Sequence, residues 1–157
     1  VRPEALRGDT VSMNRIIAHD IAAHPADLFL QTHATNPCLR GATIVAALAR
    51  MEESPDHDSL FSVTSHQSRF YDAAGRAVNH DPELLVPTQH LPVMLEENSC
   101  LYLFTASSFA ASGRRIGRSP VLFMTPWFES IDIDTEAGFR LAELVHANLE
   151  QLLAVDG

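Results

Sequence analysis

The sequence predicts a single α/β domain in which a mostly parallel sheet carries helices on both faces. Segments with apolar residues at helical spacing alternate along the chain with short apolar runs that are typical of buried strands. The chain has 157 residues, of which 46% are apolar, and no repeat or linker divides it. It is therefore long enough to bury one substantial core.

The first helix and the first strand follow from local signals. Thr10 or Ser12 can cap a helix with isoleucines at helical spacing, and this helix ends before Pro25 because proline cannot continue it. Residues 27–31 then form a short buried strand, and residues 32–38 form a polar loop.

A second helix is predicted over residues 40–51, and a second buried strand over residues 59–64. The inner face of this helix is expected to carry Ile44, Val45 and Leu48.

The segment 67–97 differs from the rest of the chain. It alternates weakly, contains several prolines, and has a hairpin turn signal at residues 72–75, which read Asp-Ala-Ala-Gly. We interpret it as an extended excursion from the main sheet.

The last part of the chain returns to regular structure. We expect a buried strand over 99–105, a short helix capped by Ser107 or Ser108 and ending near Gly113, and a strand over 121–124. A further strand over 129–133 and a final helix over 135–153 complete the prediction. The apolar stripe of that helix is Leu141, Leu144, Val145, Leu149 and Leu152.

Two carboxylates at the end of the predicted strand 129–133 form the main candidate metal site. Alternation along a strand sends Asp132 and Asp134 to one face and Ile131 and Ile133 to the other. Such a pair can share one Mg²⁺, which typically takes one or two carboxylates plus substrate phosphates. A solvated strand edge, with Asp134 as N-cap of the next helix, explains the same spacing. The loop after Gln31 also follows a strand end, so both features can face one cleft.

Composition excludes several classes of function. A net charge of −9 and a pI near 5.2 argue against a nucleic-acid surface. Apolar stretches such as 43–49 are too short to span a bilayer, and no secretory signal is visible. Cys38 and Cys100 read as buried residues in a reducing compartment. A soluble, cytoplasmic protein without nucleic-acid or membrane partners is expected.

Four stretches of sequence go beyond generic α/β patterning. They are Arg2-Pro3-Glu4-Ala5-Leu6 continuing through Ser12 and Met13, residues 29–37 (Phe-Leu-Gln-Thr-His-Ala-Thr-Asn-Pro), residues 79–82 (Asn-His-Asp-Pro) with 96–99 (Glu-Glu-Asn-Ser), and residues 129–134 (Glu-Ser-Ile-Asp-Ile-Asp). In this order and spacing they resemble the acylneuraminate cytidylyltransferases, also called CMP-sialic acid synthetases. The resemblance covers essentially the whole chain and implies a three-layer, Rossmann-like nucleotidyltransferase fold.

The resemblance implies a nucleotidyl transfer. The anomeric hydroxyl of a 2-keto sugar acid attacks the α-phosphate of CTP and gives CMP-sugar and pyrophosphate. Mg²⁺ held by Asp132 and Asp134 would bridge phosphate oxygens and orient the sugar hydroxyl. Transfer to a related acid (3-deoxy-octulosonate, KDN or legionaminate) and a non-catalytic subunit that only dimerises remain as alternatives.

The resemblance also suggests substrate contacts. Arg2 matches a basic residue near the nucleotide phosphates, Ser12 a hydroxyl that contacts the nucleotide, and Gln31 an amide that hydrogen-bonds the sugar acid. Thr35 and Asn36 shape the ligand loop, although turn chemistry alone explains them equally well.

Arg69 is a candidate partner for the sugar carboxylate, because a guanidinium binds carboxylates in a bidentate manner; a solvated surface arginine is the alternative. His33, in the same loop as Thr35, is a weaker candidate contact.

The resemblance implies that the excursion 67–97 corresponds to the family's dimerisation arm, which reaches over the partner's active site, and therefore that the protein is a homodimer. A long surface loop is the alternative.

The chain also departs from the family. The strand and the Gly- and Lys-rich loop that cradle CTP do not occur in these residues, and the chain opens on Val1. We therefore expect an N-terminally incomplete domain which, in isolation, is aggregation-prone and binds CTP weakly or not at all. Ser65 and Pro87 stand where many members are basic, and Gly138 where many are acidic, so the sugar acid stays unassigned.

Overall fold

The structure, a computed structural model, describes residues 3–8 and 10–156. Helices and strands alternate along most of this part of the chain. In chain order the elements are α1 (Met13–Ala23), β1 (Phe29–Thr32), α2 (Gly41–Glu52), β2 (Ser59–His66), β3 (Met94–Phe104), α3 (Ala106–Ser112), β4 (Pro120–Met124), α4 (Glu136–Ala147) and α5 (Leu149–Asp156), with short 3-10 turns at Glu4–Leu6, Thr88–His90 and Trp127–Glu129.

The four strands form one open sheet in the order β1-β3-β2-β4. β3 runs antiparallel to both β1 and β2, whereas β2 and β4 are parallel. The α/β class is confirmed, but the expectation of a mostly parallel sheet does not hold for the described strands, since two of the three neighbouring pairs are antiparallel.

The connection between β2 and β3 explains this difference. A parallel neighbour needs a crossover from one end of the sheet to the other, whereas two strands joined at the same end must run antiparallel. The segment 67–93 leaves β2 after His66, and β3 starts again beside it, with Met94 paired to His66. Buried strands of either direction have the same apolar pattern, so the sequence did not reveal this reversal.

Helices pack on both faces of the sheet, as predicted. On one face α2 contributes Ala47, Leu48 and Met51 to a core with Leu101 and Leu103 of β3. On the other face α1 and α3 pack against the alternate residues of β3; the core there contains Ile17, Ile21, Phe109, Tyr102 and Phe104. Because successive side chains of β3 point to opposite faces of the sheet, this strand contributes to both apolar cores.

Several helix boundaries agree with the sequence-based prediction, but some residues predicted on the buried face of a helix are exposed. Ser12 is the N-cap residue of α1, and α1 ends before Pro25. α3 is capped by Thr105, whose side chain accepts from Ser108 N–H in a capping box, rather than by Ser107 or Ser108. In α2, the residue Val45 is 65% exposed, whereas Thr43 and Ala47 are buried.

The predicted final helix is divided in two. α4 ends at Ala147 with Asn148 as its C-cap residue, and α5 begins at Leu149. Val145 is buried as predicted, but Leu141 and Leu144 are exposed, and Ala142 takes the inner position instead. The pattern alone could not separate leucines that face the core from leucines on an open helix face.

The predicted strand 129–133 is wrong. Pro126 precedes a 3-10 turn over Trp127–Glu129, and residues 130–133 are irregular, so Asp132 and Asp134 do not lie on a strand. Proline fixes φ and favours the start of such a turn. The backbone of this segment pairs with a loop instead: Ile133 N–H donates to Thr35 C=O at 2.9 Å.

The excursion is residues 67–93, because residues 94–97 already belong to β3. Its predicted turn is confirmed by the hydrogen bond from Gly75 N–H to Asp72 C=O. Side-chain amides hold the excursion together, with Asn79 bonded to Phe70 N–H and Ser68 C=O. Among the residues that the structure describes, no helix is both long and apolar enough to cross a bilayer.

Candidate functional site

A polar cleft of about 410 Å³ lies where β2 and β4 end and β3 begins. Its acidic lining includes Asp132 and Asp134, both exposed, together with Glu96 and Glu97 of β3. Carboxyl ends of strands are where α/β sheets bind ligands. The aspartates line this cleft, but the loop after Gln31, which was expected to face the same cleft, does not line it. Ile131 and Ile133, on either side of Asp132, pack into a core with α4 and α5.

A large bulge in β3 shapes this cleft. Phe61 of β2 pairs with Tyr102 of β3, and Val63 pairs with Glu97. Between these two pairs β2 has the single residue Ser62, whereas β3 has residues 98–101. The side chain of Ser62 bridges the gap, since it accepts from Leu101 N–H and donates to Leu101 C=O. Bulges of this kind re-aim side chains near functional sites.

The bulge directs Asn98 into a hydroxyl cluster. Its Nδ2 lies 2.9 Å from Thr64 Oγ1, 2.7 Å from Thr125 Oγ1 and 3.0 Å from Ser130 Oγ. The next residue, Ser99, has a left-handed backbone with φ of 61°, a conformation that is uncommon outside glycine and often marks functional sites. The amide of Asn98 thus joins β2, the end of β4 and the segment before Asp132.

The segment that carries the two aspartates is fixed at both ends. Asn36 Nδ2 donates to Ile131 C=O at 3.3 Å, and Thr35 accepts from Ile133 N–H. Thr135 is the N-cap of α4, accepting from Gly138 N–H, so Asp134 is not the cap. The loop after β1 and the aspartate segment are therefore adjacent.

A buried ion pair anchors the same segment to α2. The side chain of Glu129 is fully buried, and its Oε1 lies 2.7 Å from Arg40 Nε. Its other oxygen accepts from Arg40 N–H at 3.1 Å, at the N-terminal end of α2. A buried carboxylate requires such pairing, so this contact determines where the aspartate segment begins.

A second recess, of about 370 Å³, lies at the end of β1. It is lined by Met13, Ile16, Ile17, Asp20 and residues 31–35. Gln31 and Thr35 are therefore in one recess with His33. Asn36 is 5% exposed, and its Oδ1 has no hydrogen-bond partner among the described residues.

A network of polar side chains joins the recess to the cleft. Tyr102 hydroxyl donates to Glu97 Oε1 at 2.5 Å and accepts from Arg115 Nη2 at 2.8 Å. Burial raises the pKa of Tyr102 to about 12, and the hydrogen bond to Glu97 acts in the same direction, against Ser99 and Arg115. Tyr102 is therefore a neutral donor near neutral pH.

His33 lies at the other end of this network. Its Nε2 is 3.2 Å from Arg115 Nη1 and 3.2 Å from Gln31 Nε2. Burial and the guanidinium of Arg115 lower its pKa, and Asp132 opposes them only partly. The neutral imidazole is therefore the favoured form.

We expect stability to fall as the pH drops below about 6.5, the ordinary pKa of histidine. Because the folded-state pKa of His33 is lowered, the unfolded chain binds a proton there before the folded chain does. The free energy of unfolding is then fully present above that pH and is lost toward acid. Urea midpoints between about pH 5 and 8 should depend less on pH in His33→Gln; equal slopes would contradict this prediction.

The remaining predicted contacts are dispersed. Ser12 lines a separate recess with Arg114 and Arg115. Arg69 lies in the excursion, where its Nη2 donates to Val86 C=O. Arg2 lies outside the described residues. The structure thus places Gln31 and Thr35 in the recess and Asp132 and Asp134 in the cleft, whereas neither Ser12 nor Arg69 lines the cleft or the recess.

Sequence reasoning missed Arg115, Tyr102, Glu129 and Asn98. No spacing connects Tyr102 with Arg115, since they lie on different elements that only the packing brings together. Asn98 belongs to a stretch noted for its resemblance, but its role depends on a bulge that alternation does not predict.

The donor chemistry of the cleft suits a hard divalent cation, because carboxylate, amide and hydroxyl oxygens line it. Within residues 3–8 and 10–156, no group of three or more His, Cys, Asp or Glu side chains is arranged to hold a metal ion. A cation here would rest on the two aspartates and on ligand oxygens, which is the set that Mg²⁺ uses with phosphates.

Comparison with models of known protein families finds no match to this chain. Comparison with curated proteins also finds no match.

Proposed function

We propose that this chain is the acceptor and metal-binding part of a cytidylyltransferase that joins CTP to a 2-keto sugar acid. The observation that supports it most is the adjacency of the Asp132/Asp134 cleft and the Gln31/His33 recess at one end of the sheet. Nucleotidyl transfer needs a nucleophile held close to a metal-bound phosphate more than it needs a covalent protein group.

In this proposal Asp132 and Asp134 hold Mg²⁺, which neutralises phosphate charge when bound. Asn98 and Ser130 keep the segment in place through their hydrogen bond. The pair Glu129 and Arg40 fixes the same segment from the other side. The chain itself supplies a rigid support for two exposed carboxylates.

Gln31, Thr35 and His33 contact the sugar acid in the adjoining recess. Neutral amide, hydroxyl and imidazole groups suit a polyhydroxylated ligand because each can donate or accept a hydrogen bond. Ser12 and Arg69 line neither cavity, so they are not among the proposed sugar contacts, and Asn36 supports the aspartate segment through its hydrogen bond to Ile131. The strand arrangement, with one reversed strand, is proposed to be part of a Rossmann-like nucleotidyltransferase fold.

The test is direct. The protein that carries these residues should convert CTP and N-acetylneuraminate into CMP-sugar and pyrophosphate in the presence of Mg²⁺, and chelation by EDTA should stop the reaction. A panel containing KDN, 3-deoxy-octulosonate and legionaminate identifies the preferred acid. Release of no pyrophosphate with any of these acids would refute the proposal.

We also propose that the excursion 67–93 packs against a second copy of this chain. It carries apolar side chains that are at least half exposed, and Leu85 is 84% exposed. Exposed apolar surface of this kind is typical of protein interfaces. These exposed apolar residues are Tyr71, Val78, Leu84, Leu85 and Val93.

We expect a homodimer in light scattering at tens of micromolar, and Leu85→Asp should convert it into a monomer, since a charge in an apolar interface is costly. Leu144→Asp, on the 65% exposed side chain of α4, is the matched control and should remain dimeric. A monomeric wild-type protein would contradict the proposed interface.

A further inference from the structure

Two hydrogen-bond donors converge on one nitrogen of His33. Arg115 Nη1 and Gln31 Nε2 each lie 3.2 Å from His33 Nε2. A guanidinium has donors only, so the nitrogen that it contacts must be an unprotonated acceptor. A neutral imidazole with a free Nε2 carries its proton on Nδ1.

Gln31 would be satisfied better by the opposite tautomer. Its Oε1 is buried and has no partner among the described residues, which is an unfavourable state for an amide oxygen. Reversal of the amide would turn Oε1 toward Nε2, where it could accept from an Nε2–H. That arrangement would place Nε2–H against an N–H of Arg115, so the two neighbours favour different tautomers.

Arg115 is held independently of His33. Its guanidinium carbon lies 3.6 Å from the centroid of the Tyr102 ring, and Nη2 donates to the hydroxyl of Tyr102. Glu97 Oε1 is 3.7 Å from Nη2, and the arginine side chain is only 18% exposed. Tyr102 is itself fully buried in β3. These contacts make the arginine the fixed member of the contact with His33.

We propose that Arg115 is a positioning residue that fixes His33 as the Nδ1–H tautomer, so that the recess offers a neutral N–H donor to its ligand. No hydrogen bond joins Nδ1 to any other part of the chain that the structure describes. The donor suits a hydroxyl, carbonyl or carboxylate oxygen of the acceptor. That role in substrate binding rests on the proposed function, whereas the tautomer assignment does not.

Long-range proton–nitrogen correlation spectra of ¹⁵N-histidine-labelled protein test the tautomer, because protonated and unprotonated ring nitrogens resonate apart. Spectra near pH 8, above the ordinary pKa of histidine, report the neutral ring. Loss of one set of signals in His33→Gln identifies His33 among the eight histidines. The wild-type protein should show Nδ1–H, and Arg115→Met should shift the population toward Nε2–H.

Arg114→Met is the matched control, since Arg114 is the exposed neighbour of Arg115 in the same loop, and it should leave the tautomer unchanged. A wild-type His33 with Nε2–H would overturn the proposal even if Arg115→Met failed to fold. A folded Arg115→Met variant that keeps Nδ1–H would overturn it as well.

Kinetics test the ligand role separately. Arg115→Met should raise KM for the sugar acid about tenfold, as expected for loss of one well-placed hydrogen bond, with little change in kcat. An unchanged KM in a variant whose tautomer has moved would overturn the ligand role of Nδ1–H. If the wild-type protein transfers no cytidylyl group, the proposed function fails, and the spectra still decide the role of Arg115.

Discussion

Asp134→Asn should lower kcat of the proposed cytidylyl transfer by at least about a hundredfold, comparable to the loss of a key electrostatic stabiliser. The change removes one of the two aspartates proposed to hold the metal ion in a cleft that Glu96 and Glu97 also line, and an amide is a weaker ligand for Mg²⁺ than a carboxylate. The loss should be measured at saturating CTP and sugar acid, over a range of Mg²⁺ concentrations. Turnover near that of the wild type at high Mg²⁺ would refute the metal assignment.

The effect should be confined to catalysis. Asp134 is exposed and does not cap α4, so its replacement should change the free energy of unfolding by less than about 0.5 kcal/mol. Asp27→Asn is the matched control. It removes an exposed carboxylate that precedes β1, at the opposite end of that strand from the recess, and should leave turnover unchanged.

Arg40→Met should destabilise the protein by about 3 kcal/mol, because it leaves the carboxylate of Glu129 buried without its cation. The side chain of Arg40 is 30% exposed, and its backbone N–H still donates to Glu129, so the lower end of the usual range is expected. Urea unfolding measures the loss. A cost below about 1 kcal/mol would show that Glu129 does not need the guanidinium.

Two variants separate the effect of burial from that of charge. Arg140→Met removes a cation that pairs with Glu136 and Glu143 while 66% exposed, and such surface pairs contribute less than about 1 kcal/mol. Glu129→Gln combined with Arg40→Met removes both charges and should recover part of the lost stability, since an unpaired buried charge is costlier than a neutral amide.

The sequence alone predicted the α/β class, the helices on both faces, and most of the helix and strand positions. These depend on local physics: apolar periodicity, proline stops, and turn residues such as Asp72 and Gly75 act over a few residues. Ile131 and Ile133 pack into the core and the aspartates beside them are exposed, but the strand whose alternation predicted opposite faces does not form.

Tertiary structure decided the features that depend on distant parts of the chain. The reversed direction of β3 follows from where the excursion 67–93 returns to the sheet, and periodicity carries no strand direction. The segment 129–133 has the composition of a strand, but the burial of Glu129 against Arg40 and the pairing of Ile133 with Thr35 hold it in an irregular form.

The site shows the same division between local and distant information. Asp132, Asp134, Gln31 and Thr35 were selected from the sequence because each was expected at the end of a strand, and their functional roles remain predictions. The structure places the two aspartates in the cleft and Gln31 and Thr35 in the recess. Arg115, in the loop after α3, contacts Tyr102 of β3 and His33 in the loop after β1, so these contacts join three separate segments of the chain. Side chains meet in this way only once the core has packed, so tertiary structure alone determines which nitrogen of His33 faces the guanidinium.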